Sequence, residues 1–376
     1  MTLAETIDSR RVILCVGSGG VGKTTTSAAI ATCAARRGRR TAVLTVDPAQ
    51  RLKDALGLGT LDGKPRRVPL DGSSGHLDAM LLDVKRTFDE LVMGLATTPE
   101  QAQRILDNRL YQNLSGTLAG TAEYMAVETV YRLAEEGDYD LLVVDTPPSR
   151  HAVDFLDAPR RLLALLDSRA FAIMKDPTSI LPAAGSRLAH LVLSGVLRGL
   201  ERFTGIGLVR EIGEFIGLIE GLTAALHTRV AGTAALLRSE ATALVLVSAP
   251  EPRLTSETAE LASALGLVGL TVDGVIVNRA LPRATFGSAA ANPPPLPGLS
   301  AALAARLERS FEDLHTLALR QEATLEPLLR AANAPLLAEV PLLAEPPCSL
   351  EDLDVIARHL CPPDDAATPS AQGQGR

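Results

Sequence analysis

Residues Gly17, Ser18, Gly19, Gly20, Val21, Gly22, Lys23 and Thr24 constrain this chain more than any others. They satisfy the pattern GxxxxGK[ST], with a mostly apolar run over 11–16 before them and an alanine-rich stretch over 24–35 behind. Glycines at such a loop let backbone N–H groups wrap around phosphates, and the N-terminus of the following helix adds the positive end of its dipole. In that setting Lys23 reaches the terminal phosphates and the Thr24 hydroxyl binds Mg²⁺. The loop works only between a buried strand and a helix, so it implies an α/β fold.

The rest of the chain agrees with that fold. Apolar runs over 41–46, 77–83, 141–144, 243–247, 274–277 and 338–341 read as further strands, and helical spacing separates most of them. Buried strands alternating with helices predict a doubly wound, mostly parallel sheet. Such sheets bind ligands beyond the carboxyl ends of their strands. The run 141–144 leads to Asp145, Thr146, Pro147 and Pro148. A carboxylate at the end of an apolar strand is the second element of a phosphate site, holding Mg²⁺ directly or through water.

Composition narrows the classes of function. A net charge of -7 argues against a nucleic-acid partner, which calls for a basic face. Apolar residues make up 46 % of the chain, and alanine and leucine far outnumber aromatics, a bias toward helix. Residues 1–9 do not read as a signal peptide, and no uncharged apolar run reaches the ~18 residues of a membrane span, so a cytoplasmic location is expected. The cysteines, Cys15, Cys33, Cys348 and Cys361, form no CxxC pair and predict neither disulfide nor zinc site.

At this point the chain resembles a known family. The Gly-Gly-Val-Gly-Lys-Thr-Thr run ending at Thr25 is similar to the deviant Walker A loop of the ParA/MinD/ArsA class of ATPases. Within that class, 45–54 resembles the switch I segment of the family joining the arsenite-pump ATPases to the tail-anchored-protein targeting ATPases. Residues 145–151 resemble its switch II, and Val277, Asn278 and Arg279 its adenine-binding strand end. The likeness runs over about 11–360 and is strongest to single-domain members of actinobacteria, in which segments like 85–90 and 119–125 recur.

The resemblance implies Mg-dependent ATP hydrolysis, with ATP and Mg²⁺ as cofactors. It implies that Asp54 orients the attacking water and that Lys23 is catalytic. Asp47 joins Thr24 and Asp145 in the Mg²⁺ shell, Thr25 touches the α-phosphate, and Asn278 bonds adenine. Pro147, Pro148, Ser149 and His151 move with switch II, although His151 reads equally well as a surface histidine.

The match also breaks. The class carries a signature lysine just after the first loop glycine, and in the family it reaches the partner's phosphates across a dimer. Here that position is Ser18, which carries no cation. The departure implies slow turnover as a homodimer, or a heterodimer with a paralogous ATPase that keeps the lysine. Arg51 and Arg150 remain alternative sources of charge. The family's shared zinc CxxC and the cysteines of its metalloid site are absent from the corresponding segments, so neither a zinc nor a metalloid site is expected.

These readings divide the chain into a lead over 1–10 and an ATPase core over 11–84, 138–150, 240–285 and 335–361. Helical insertions occupy 85–137 and 151–239, and a Pro-rich loop and long helix occupy 286–334. A disordered tail covers 362–376. In the second insertion Leu208, Ile212, Phe215, Ile216, Ile219, Leu222 and Leu226 share one stripe, flanked by Gly213, Gly217 and Gly221. The stripe reads as subdomain core or, by the resemblance, as a groove for a hydrophobic or membrane-protein client. The function expected is an ATPase whose nucleotide-gated dimer acts on a partner. An ATP-binding regulatory subunit and a ParA/MinD-like positioning ATPase are the alternatives.

Overall fold

The structure, a computed structural model, describes residues 2–46, 51–114, 121–168, 217–218, 221–287 and 300–362. Asp47, most of the apolar stripe (Leu208 to Ile216, and Ile219), the loop expected over 289–298 and the tail beyond 362 lie outside the described residues.

β1 (Val12–Val16) is buried at every position, the signature of a strand covered on both faces. It pairs in parallel with β5 (Leu141–Asp145) on one side and β6 (Thr242–Ser248) on the other. Beyond β5 lie β2 (Arg40–Thr45) and β4 (His76–Leu81), and beyond β6 lie β7 (Gly274–Ala280) and β8 (Leu336–Pro341). Among the described residues the sheet has eight strands, all parallel except β3 (Arg66–Val68), which runs antiparallel to β4 at the edge. The α/β, mostly parallel expectation is met. The strand β3 was not expected from sequence, because Arg66 and Arg67 are exposed and only Val68 is buried.

The chain divides into two compact units. The first comprises Met1–Leu81, Leu133–Val153 and Glu240–Arg376, and the second Leu82–Arg132 and Asp154–Ser239. In the first, α2 (Lys23–Arg36) packs into the core through Ala28, Ala29, Ile30, Ala31, Ala34 and Ala35, all fully buried. Alanine at these positions favours the helix and lets its axis lie close to the sheet. The C-terminal helix, Leu350–Leu360, is started by a Ser349–Asp352 capping box and buries Leu353, Ile356 and Leu360 in the same core. The N-terminal segment also folds: a Thr2–Glu5 capping box starts α1 (Leu3–Ser9), which buries Leu3 and Ile7. The long helix expected after the Pro-rich loop runs Ala301–Ala332.

The second unit is helical. Leu91, Tyr124, Met125, Ala158 and Val230 form one of its apolar clusters, and Val92, Ile105, Tyr111 and Leu222 another. Of the apolar stripe, Leu222 is thus a core residue, and Leu226 packs partly buried against the first cluster. At these two positions packing of the unit itself accounts for the pattern.

Glu128 and Arg229 bring charge into this helical unit. The Arg229 guanidinium donates to Glu128 at 2.7 Å, and Tyr124 and Thr233 donate to the other carboxylate oxygen at 3.2 and 3.3 Å. Burial holds the Glu128 carboxyl above its ordinary range, against the pull of Arg229.

Candidate functional site

The loop Gly17–Lys23 leaves the carboxyl end of β1 and turns directly into α2, whose N-cap position is Gly22. Glycine is required at two places here by contact as well as by backbone angle. A Cβ on Gly17 would fall 2.1 Å from the Val247 carbonyl oxygen, so the loop can pass β6 this closely only without a side chain. Gly22 has φ +92°, and a Cβ there would fall 2.2 Å from Nδ2 of Asn278. No side chain caps α2 at Gly22, which leaves the first-turn N–H groups facing the loop.

Lys23 is buried, and its ammonium donates to the carbonyl oxygens of Gly17 and Ser18, both at 2.9 Å. Two fixed carbonyl dipoles compensate a charge that burial would otherwise penalise. Ser18 is itself buried. Thr24 and Thr25 follow in the first turn of α2, half-buried, while Gly19 and Gly20 are exposed.

The β2–β5 register sets Thr45 opposite Asp145, and the β1–β5 register sets Cys15 opposite the same residue. Asp145 Oδ2 accepts from the hydroxyls of Thr24 at 2.7 Å and Thr45 at 3.0 Å. Thr146 anchors the next turn by donating its hydroxyl to the Cys15 carbonyl at 2.8 Å. The Cys15 thiol lies in this wall, and burial pushes it up to about 12, so it stays protonated and inert.

Asn278 lies near the end of β7, buried, and donates from Nδ2 to the Val21 carbonyl at 2.8 Å. The structure therefore brings together Gly17, Ser18, Val21, Gly22, Lys23, Thr24, Asp145 and Asn278. Asp54 lies on the short helix Arg51–Ala55 with its side chain 69 % exposed, 3.6 Å from the Lys53 ammonium. Ser149 begins the helix Ser149–Leu166, Pro148 and His151 are exposed, and Pro147 is half-buried. Asp47 lies outside the described residues.

Sequence reading missed Thr45 and Thr146. Thr45 is the last residue of its strand, as Asp145 is of its own, and aligning the two strand ends would have placed it beside the carboxylate.

Among the described residues, no cluster of His, Cys, Asp and Glu is arranged to hold a metal by itself. None of their helices is long and apolar enough to cross a membrane.

A parallel sheet with a glycine loop from its central strand into a helix, a buried loop lysine and a strand-end aspartate defines a P-loop nucleoside-triphosphatase fold. Residues 10–292 match the sequence profile of the anion-transporting ATPase family, and the chain belongs to that family. It is 31 % identical over 195 residues to "ATPase get3" of Aspergillus terreus, covering 51 % of this chain and 56 % of that protein. It is also 31 % identical over 162 residues to "ATPase GET3" of Phaeosphaeria nodorum, covering 42 % of this chain and 48 % of the relative. A third relative, "ATPase ASNA1 homolog 1" of Paramecium tetraurelia, is 29 % identical over 143 residues, 38 % of this chain and 42 % of its own. The matched stretches thus span about half the length of these curated relatives.

Proposed function

We propose that this chain is a Mg-dependent ATPase that works as a nucleotide-gated dimer on a protein partner. One arrangement carries the reading: Lys23 and Thr24 at the mouth of α2, with the Thr24 hydroxyl 2.7 Å from the strand-end carboxylate of Asp145. An ion-binding hydroxyl beside a buried carboxylate, at the N-terminus of a helix with no side-chain cap, suits a triphosphate with its magnesium. The relatives, named as ATPases, support the same activity.

Gly17, Gly19, Gly20, Val21 and Gly22 would cradle the phosphates, with Lys23 and Thr25 on their oxygens and Asn278 toward the adenine. Thr24, Asp145 and Asp47 would serve the Mg²⁺ shell, whose ion supplies charge neutralisation at the transferred phosphoryl group. Asp54, exposed on its short helix, is free to approach a water at the site's edge. Phosphoryl transfer depends on such positioning more than on covalent help from the protein.

Ser18 favours a second subunit of different sequence. It stands where the family's dimer-spanning lysine is found, and it is buried within its own loop. A paralogue bearing that lysine would complete the site, and this chain would then act as the partner's ATP-binding regulatory subunit or share its turnover. The client is a hydrophobic segment or a membrane protein, as the tail-anchored-protein targeting resemblance implies.

The test is steady-state ATP turnover of the purified chain, alone and mixed with a lysine-bearing paralogue. Turnover that rises at least tenfold on mixing supports the heterodimer. Full turnover of an ATP-dependent homodimer sinks it and leaves the ATPase reading in place. No hydrolysis in either mixture contradicts the activity itself.

A further inference from the structure

We infer that Asn278 is a positioning residue for the phosphate loop, latching its backbone from the neighbouring end of β7, beyond any contact with the nucleotide base. The inference rests on the reading of residues 17–24 as the phosphate site.

Asn278 reaches the loop from 257 residues away in sequence, and its Nδ2 donates to the Val21 carbonyl at 2.8 Å. Its Oδ1 accepts from the Arg279 backbone N–H at 3.0 Å. A carbonyl can only accept and a backbone N–H can only donate, so these two partners fix which way the amide points. Arg279 contributes through its backbone, with φ +61° in the left-handed region. Residues other than glycine occupy that region at a cost, and such strain marks a position held for a purpose. The Arg279 N–H holds Oδ1 and leaves Nδ2 facing the loop.

The loop side of the contact fits the same role. Val21 lies between Gly20, at φ +80°, and Gly22, at φ +92°. Glycines flanking a residue on both sides make a loop that loses much conformational freedom when ordered. If phosphates alone had to order it, part of their binding free energy would be consumed, whereas a loop held beforehand binds more tightly. Asn278 also approaches so closely that a Cβ on Gly22 would meet Nδ2 at 2.2 Å, which makes it a wall of the loop as well as a tether. Lys23 holds the carbonyls of Gly17 and Ser18, but its ammonium is the group that arriving phosphates draw away. The neutral amide on Val21 carries no charge for arriving phosphates to draw away, so a base-free triphosphate leaves the latch in place.

The experiment uses Mg-tripolyphosphate, which has no base, beside Mg-ATP. Both are titrated calorimetrically into the full chain, Asn278→Ala and the near-isosteric Asn278→Leu. A destabilising control far from the loop, Val68→Ala in β3 at the opposite edge of the sheet from β7, separates general loss of stability from loss of the latch. Leaving the Val21 carbonyl without its donor should weaken tripolyphosphate by about tenfold in both Asn278 variants. Val68→Ala should lower the melting temperature and leave tripolyphosphate affinity within twofold. Tripolyphosphate affinity unchanged in the Asn278 variants, with ATP alone weakened, overturns the latch and leaves a base contact only. Binding of neither probe to the unmodified chain removes the proposal at its root, since the phosphate-site reading then fails.

Discussion

The Thr24 hydroxyl donates to Asp145 Oδ2 at 2.7 Å, joining the first turn of the loop helix to the end of a strand 121 residues away. Thr45 donates to the same oxygen at 3.0 Å. The carboxylate is therefore oriented by two hydroxyls before any ion arrives. Asp145→Asn keeps the shape and removes the charge. Its ATP affinity in EDTA should stay within about threefold of the unmodified chain, while the gain on adding Mg²⁺ should fall by about tenfold or more. Titrations with and without Mg²⁺ check this, and an unchanged Mg²⁺ gain would remove Asp145 from the ion's shell.

Gly22→Ala should damage the site more than its single methyl suggests. The position has φ +92°, and the new Cβ would sit 2.2 Å from Asn278 Nδ2. Strain and clash together should cost about 2 kcal/mol or more of stability. Gly19→Ala, where nothing lies within 4 Å, should cost far less. Chemical unfolding of the two variants side by side tests the contrast.

The buried pair in the helical unit predicts a pH dependence. In Arg229→Met, Glu128 keeps a side chain only 2 % exposed without its cation. Breaking such a pair should cost about 3 kcal/mol at neutral pH. Burial already holds the Glu128 carboxyl above its ordinary range. A raised carboxyl favours the folded state when protonated, so its contribution is full below the unfolded glutamate range and is lost as pH rises through the folded value. The variant should therefore lose stability with rising pH just above the ordinary glutamate range, and urea melts across that window read the slope.

Asp140 should behave with the opposite sign. Hydrogen bonds from the Arg40 guanidinium at 2.7 Å and the Arg40 N–H at 2.9 Å hold its carboxyl below the ordinary aspartate range. A lowered carboxyl stabilises the fold when ionised, so the benefit is present above the unfolded aspartate value and lost as pH falls through the folded one. Asp140→Asn should flatten the acid limb of the stability curve below that range and leave its neutral limb nearly unchanged. Acid unfolding followed by circular dichroism measures the difference.

Asp54→Asn should abolish turnover while holding ATP affinity within about threefold, because the side chain is exposed and 3.6 Å from Lys53, outside the loop's own contacts. A variant that hydrolyses ATP at the unmodified rate would take Asp54 out of the reaction.

Much of this was legible in sequence because strand, glycine loop and helix are local patterns. The run into Gly17, the alanine face of α2 and Asp145 at the end of its strand could all be read in order along the chain. What escaped depended on contacts between distant segments. The Asn278 contact with Val21 exists only because β7 lies two strands from β1, an order that no local period encodes. The Glu128–Arg229 pair joins residues 101 apart, each of which reads alone as an ordinary helix charge. The edge strand β3 was hidden by its two exposed arginines, and α1 by the polar residues around Leu3 and Ile7. In the apolar stripe, sequence favoured subdomain core over groove at any one residue, and Leu222 and Leu226 lie in core clusters.

The central claim is that residues 17–24 bind the triphosphate of Mg-ATP through Lys23. Calorimetric titration of Mg-ATP into the unmodified chain and into Lys23→Ala tests it most directly. The account predicts saturable binding by the first and about a hundredfold weaker binding by the second, the scale expected when a buried charged donor to phosphate is removed. Equal affinity in the two proteins would contradict it.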